Sequence, residues 1–331
     1  MKSLQLRQVP MLLIPTEKEH TWRIYNVLCN NFFEKNILVA HNKRFSGSSE
    51  GWLVTVEEDY TVNLYKPNFM NEEEKSNPNR IIHLPTLFLA HRIDCGLHIN
   101  RATIVTVDPI ENPYDLVVVV IYGEFHQLAF IKPAKDNMWI RVDVGEQVAF
   151  DEVVYYKDKF YAINVRGKII SFDVTNSSNL NINLVSGNRT RFGIGERRYL
   201  VKSEQEKLLI VERYSNIYDN GDCKVDEFEV FKLNLDQTRW VKITCLGNTS
   251  LFLGDNSSLS IVASNFKGCQ DNCIYFTPDE ATIVYGPHGP WDLGVYNLKS
   301  ESFVWHYNID LDVIAKMNRS PIWLVPTINT Y

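Results

Sequence analysis

The sequence predicts an all-β protein folded as a β-propeller, and three observations lead to that fold class. Apolar residues alternate or form short runs, which is the strand signal, and helical periodicity is confined to Leu311–Met317. Aromatic residues reach 12% of the chain, with 16 Tyr, 17 Phe and 7 Trp, and such side chains suit pleated, half-buried surfaces. A short strand motif also recurs six times along the 331 residues.

Individual strands are legible locally. Trp52, Val54 and Val56 alternate with Leu53 and Thr55, while Val117–Ile121 is continuously apolar, as in a strand covered on both faces. Phe160–Asn164 and Ile169–Val174 flank Val165-Arg166-Gly167-Lys168, which reads as a hairpin turn.

The repeat is an aliphatic or aromatic residue, then Asn, Lys or Asp, then Pro or an aliphatic residue. It centres on Tyr25, Tyr65, Ile131, Phe172, Leu233 and Tyr296. Each copy is followed by a polar segment and a second strand, often holding Trp, as in Met138-Trp139-Ile140, Arg239-Trp240-Val241 and Phe303-Val304-Trp305. Two of the intervals fit the roughly 40–50 residues of a four-stranded blade. The other three carry polar inserts, the longest being Asn68–Arg80, Ser215–Glu227 and Gly254–Asn272. Six copies predict six blades, with five or seven left open. A ring must close, because open sheet edges invite aggregation. The apolar tail Pro321–Thr327 is expected to pair with Met11–Ile14, making residues 1–331 one propeller domain with its first strand at about 10–15 and its closing strand at about 321–328.

Composition removes several function classes. A net charge of −6 with a pI near 5.8 is wrong for a nucleic-acid binder, which needs basic surface to displace counterions. Arg189, Arg191, Arg197 and Arg198 form the densest basic cluster and read as a solvated rim. No run of about 20 apolar residues exists, so no membrane span is expected. Met11–Ile14 is too short for a signal peptide. The six scattered cysteines are then expected to be reduced, in cytoplasm or nucleus.

Motifs that could carry chemistry are weak. Gly47-Ser48-Ser49-Glu50-Gly51 matches G-x-S-x-G, but a nucleophile elbow needs a helix after the Ser, and Trp52–Val56 reads as a strand. The small-residue segment is expected to be a loop entering a blade. Cys269 and Cys273 lack the second pair that a structural zinc site uses, and they read as turn thiols leading into strand Ile274–Thr277, with a redox pair as the alternative. The eight histidines form no H-x-x-x-H. Neither a metal nor a cofactor is expected, and an enzyme is not.

Several segments together resemble one family. Phe45-Ser46-Gly47-Ser48-Ser49-Glu50-Gly51-Trp52-Leu53, Leu251-Phe252-Leu253-Gly254-Asp255-Asn256, and Gly268-Cys269 to Asn272-Cys273-Ile274-Tyr275-Phe276-Thr277 stand in order. They are followed by Asp292–Leu298 and Pro321-Ile322-Trp323. This series is similar to the plant F-box-associated domain of unknown function 295, the KIB-type β-propeller, over about residues 8–328. The resemblance implies a kelch-like propeller. In many members it follows an F-box, which docks on the Skp adaptor of a cullin ubiquitin ligase, and the propeller recognises the substrate protein. Shaggy-like kinases are targets of named members.

No amphipathic helix precedes Met11, so the expectation is a member lacking the F-box, for which Skp docking is not expected. The function expected is a protein-interaction propeller. An enzyme with its site at the propeller channel, or a vestigial protein with no partner, are the alternatives. Rigid scaffolds present binding residues on loops, and aromatic anchors dominate interfaces. Tyr218, His288 and Trp291, on the insert loops, are therefore the candidate partner-binding residues.

Overall fold

A computed structural model describes residues 9–18, 20–37, 45–49, 51–57, 59–67, 81–87, 99–105, 112–145, 148–177, 179–187, 197–205, 207–217, 223–234, 239–279, 292–315 and 320–324. Its strands form six separate sheets, one per blade. β1 (Met11–Pro15), β2 (Thr21–Asn26) and β3 (Asn31–Asn36) form most of blade 1, and β4 (Phe45–Ser49), β5 (Trp52–Val56), β6 (Thr61–Tyr65) and β7 (Ile81–Thr86) form blade 2. Blade 3 holds β8 (Ile99–Val105), β9 (Val117–Tyr122), β10 (Gln127–Ile131) and β11 (Ile140–Arg141). Blade 4 holds β12 (Phe150–Tyr156), β13 (Lys159–Asn164), β14 (Ile169–Asp173) and β15 (Asn181–Ser186). Blade 5 holds β16 (Arg197–Lys202), β17 (Leu208–Ile217), β18 (Cys223–Asn234) and β19 (Arg239–Ile243).

Blade 6 departs from this four-strand meander. β20 (Thr249–Leu253), β21 (Ser258–Val262), β22 (Cys273–Phe276), β23 (Gly294–Asn297) and β24 (Ser302–Trp305) lie in the order β21-β20-β22-β23-β24. β20 runs parallel to β22, the one parallel pairing among the described strands. The segment Gly254–Asn272, expected to be a polar insert, thus contains an extra inner strand. Ser215–Glu227 is also no simple loop. Its ends lengthen β17 and β18 into a two-stranded arm, with Ser215 opposite Val225 and Ile217 opposite Cys223. A short helix α1 (Leu311–Ala315) precedes β25 (Ile322–Leu324).

β25 returns to blade 1 and closes the ring. Met11 pairs with Leu324, Leu12 with Trp323 and Leu13 with Ile322, which is the expected closure between the two ends of the domain. The six repeat centres all fall on the next-to-outermost strand of a sheet, and all six are buried.

Side chains alternate across each strand, so every blade faces two neighbours, and the apolar core divides accordingly into six clusters, one per seam between blades. On β9, Val118, Val120 and Tyr122 pack toward blade 2, while Val119 and Ile121 pack toward blade 4. This two-sided burial explains the unbroken apolar run there. Polar contacts tie the seams: the Trp139 indole N–H donates to Pro85 O at 2.9 Å, and Lys132 Nζ donates to Val174 O at 2.7 Å.

The inner strands touch in sequence, β25 to β4, β4 to β8, β8 to β12, β12 to β16 and β16 to β21. The approach of β4 to β8 requires a residue without Cβ. A Cβ on Gly47 would lie 2.7 Å from Ala102 O and 2.8 Å from Ala102 Cβ. Gly47-Ser48-Ser49 therefore belongs to an inner strand, not to an entering loop, and it turns at Gly51 into β5.

Candidate functional site

The three candidate anchors Tyr218, His288 and Trp291 lie outside the described residues. What the structure brings together instead is a set of charged groups at one end of the ring, near the first residues of the inner strands. Arg101 sits on β8, Asp151 and Glu152 on β12, and Arg197 and Arg198 on β16, all buried. Blade 5 adds Glu212 and Arg213 from β17, and blade 6 adds Asp279 beyond β22 and Asp292 just before β23.

One pair crosses the ring, and the others join neighbouring blades or strands. Arg101 of blade 3 donates to Gly254 O of blade 6, opposite it, and its Nη2 lies 3.4 Å from Asp279 Oδ1. Asp279 also accepts from the Tyr199 hydroxyl and lies 3.3 Å from Arg213 Nη1. Arg213 reaches Thr277 O at 2.8 Å and pairs with Asp292, whose other oxygen accepts the Val225 N–H at 3.1 Å. Asp292 thereby joins the arm of blade 5 to blade 6. Arg197 pairs with Asp151 at 3.3 Å, and Arg198 with Glu212 at 3.4 Å, while Arg198 also donates to Val165 O of blade 4. The reading of Arg197 and Arg198 as solvated rim is corrected: each is matched by a carboxylate brought in by another strand.

The carboxylates differ in how well they are compensated. Burial pushes the Asp279 carboxyl up, but the Arg197, Arg213 and Arg101 guanidiniums together overcome it and hold it below the ordinary range. Burial raises Asp151, only partly offset by Arg197 and Arg198. Burial raises Glu152 too, because its nearest cation, Arg101 Nε, stands 3.8 Å away and its other partners are the neutral Ser258 hydroxyl and the Val153 N–H. Tyr199 is pushed up by burial and by Asp279.

A second polar cluster lies at the tip of the β20–β21 hairpin. The Asn256 amide donates to Trp323 O at 2.9 Å and accepts the Trp323 N–H at 3.1 Å. It therefore continues the free edge of β25 as another strand would. The Trp323 indole donates to Leu253 O at 2.9 Å. Its ring passes so near Gly254 that a Cβ there would lie 2.8 Å from Cδ1. The segments Leu251–Asn256 and Pro321–Trp323, distant in sequence, are thus two halves of one joint.

The thiols carry no comparable arrangement. Cys269 and Cys273 are free. Burial pushes Cys273 up to about 11 and raises Cys269 as well, so both are held as thiols. Among the described residues, no group of three or more His, Cys, Asp or Glu side chains could hold a metal ion, and no helix is long and apolar enough to cross a membrane.

Local sequence did not reveal the charged mouth, because its ion pairs, Arg198–Glu212 apart, join different blades. One signal was present: Arg101, Asp151-Glu152 and Arg197-Arg198 recur at blade-length intervals, each followed by an apolar run.

Comparison with known proteins fits this architecture. The KIB1-4 beta-propeller family matches residues 18–297. A putative F-box protein of Arabidopsis thaliana is 26% identical over 213 residues, covering 64% of this chain and 56% of that protein. The Arabidopsis thaliana F-box protein SKIP23 is 23% identical over 303 residues, covering 80% of this chain and 72% of its own. A second putative F-box protein of the same plant is 29% identical over 171 residues, covering 50% of this chain and 42% of that protein. The chain thus spans about half the length of the two putative F-box proteins it matches. Among solved structures, the Cps50 (Swd1) β-propeller domain of Myceliophteria thermophila is similar at a TM-score of 0.39 and 10% identity, over 86% of this chain and 78% of that one. That likeness is too distant to bear on function. With most of its length matched and six blades closed by its two ends, the chain belongs to the KIB1-4 beta-propeller family.

Proposed function

We propose that this propeller recognises a protein target, in the manner of the substrate-binding part of an F-box ubiquitin ligase subunit. The observation that carries the reading is membership of a propeller family whose matched relatives are named as F-box proteins. The channel mouth supports binding over catalysis. Its buried arginines are tied to carboxylates and carbonyls of other blades, and its phenol Tyr199 is engaged with Asp279 and Arg213. Those groups hold blades together, which leaves the rims of a rigid ring to meet a partner.

The test is affinity purification of the tagged chain from plant cells, followed by binding measurements with each purified candidate. Recovery of a protein that binds directly and saturably supports the recognition reading. Recovery of Skp and cullin with it supports the ligase reading, and a lone target, such as a kinase, supports recognition without the ligase. A chain that captures nothing above a scrambled-bait control overturns the proposal.

A further inference from the structure

The tip of the β20–β21 hairpin, Gly254–Ser258, touches three other blades. Gly254 O accepts from Arg101 of blade 3. The Ser258 hydroxyl donates to Glu152 Oε2 of blade 4 at 2.7 Å. The Asn256 amide holds both the N–H and the C=O of Trp323 on β25 of blade 1. These contacts fall within the five residues of a tight turn, closed by the Gly254 N–H to Ser257 O bond at 3.1 Å. A displacement of one end of so short a segment is felt at the other.

We propose that this tip is a strap that couples the ion pairs of the channel mouth to closure of the ring at β25. Among the described residues, three of β25 stand in register with β1, and the Trp323 backbone on its other edge is held by Asn256. Asn256 is in turn held in place by Arg101 on one side of the tip and Glu152 on the other. When these anchors are released, the tip moves, the Trp323 backbone loses its partner and β25 frays from the ring. Linkage makes the relation reciprocal: fraying of β25 frees the tip and loosens Arg101 and Glu152. Arg197 is close enough to the tip to feel the Asp255 carboxylate, whereas Arg198 and Glu212 pair within blade 5 and Arg198 reaches Val165 O of blade 4. A coupling routed through the tip should leave the Arg198–Glu212 pair out.

Amide hydrogen exchange on the full chain tests the strap. Exchange at Trp323 is compared with exchange at Val118–Ile121, whose buried β9 amides report whole-domain opening. Ser258→Ala and Arg101→Met are each expected to speed exchange at Trp323 about five- to thirtyfold relative to the β9 amides. Asn256→Ala is expected to do the same directly. Glu212→Gln is expected to leave Trp323 at its original rate relative to β9. If Ser258→Ala and Arg101→Met leave Trp323 unchanged while Asn256→Ala speeds it, the tip does not transmit and the proposal fails. It fails equally if Glu212→Gln speeds Trp323 as much as the tip variants do. Should Arg101→Met not fold, Ser258→Ala decides alone, since it removes one hydroxyl.

Discussion

Glu152 is a poorly compensated carboxylate of the channel mouth. Asp279 has guanidiniums and the Tyr199 hydroxyl around it, whereas Glu152 faces one guanidinium nitrogen at 3.8 Å. Its carboxyl is therefore raised by burial while that of Asp279 is held low. The consequence has a definite sign. Between its ordinary and its raised titration range, the folded chain binds the Glu152 proton more tightly than the unfolded chain does. Stability therefore falls as pH rises through that window. Asp279 contributes the opposite slope, with stability lost only on acidification below the ordinary carboxylate range. Glu152→Gln keeps the acceptor for Ser258 and removes the titration. Melting temperature measured by circular dichroism from about pH 5 to 8 should fall less steeply in the variant, with no loss near neutrality; a steeper fall in the variant would contradict the assignment. Asp151, raised in the same direction, leaves some slope behind. Beyond the recurrence of charged residues at blade-length intervals, none of this was legible in the sequence. Arg197 and Arg198 look solvated because they cluster with other charged residues in the chain, and their carboxylates come from other strands, Asp151 of blade 4 and Glu212 of the neighbouring β17.

At the scale of elements, the inner strands pack so closely that one side-chain carbon is too many. Gly47→Ala would place its Cβ against both Ala102 O and Ala102 Cβ. Overpacking of this kind typically costs about 1–3 kcal/mol, to be read from the midpoint of urea unfolding. Adding Ala102→Gly should recover only part of it, because the carbonyl oxygen stays at 2.7 Å. Full recovery would place the strain in the side chains alone. The outer strands and the repeat were readable because each seam demands an apolar residue at alternate positions. The inner strand β21 was not, for an equally physical reason. Leu259 and Ile261 alternate with Ser258 and Ser260, but the run is only five residues long and stands among polar residues, and its serines face polar partners, Glu152 Oε2 and Lys202 O. The arm of blade 5 was missed similarly: Ser215 and Asn216 are polar yet remain in register with Val225 and Lys224.

For the whole molecule, the design is a ring of six small cores rather than one large core. Each seam needs both of its blades, so the ring is only as sound as its closure. β25 supplies Ile322 and Leu324 to the seam between blades 1 and 2, and Trp323 to the seam between blades 6 and 1. Burying an aliphatic side chain is worth about 1.5–3 kcal/mol, and deleting a buried Trp side chain costs about 3–5 kcal/mol. Those losses together rival the roughly 5–15 kcal/mol net stability of a typical folded domain. The sequence carried this closure in two short apolar runs at opposite ends of the domain, and the segment Leu251–Asn256 that locks Trp323 was visible only as a resemblance. The most direct test is the thermal unfolding of a chain lacking residues 322–331. The closed ring predicts that this chain has no cooperative melting transition, because two seams open at once; a cooperative transition at the temperature of the full chain would contradict it.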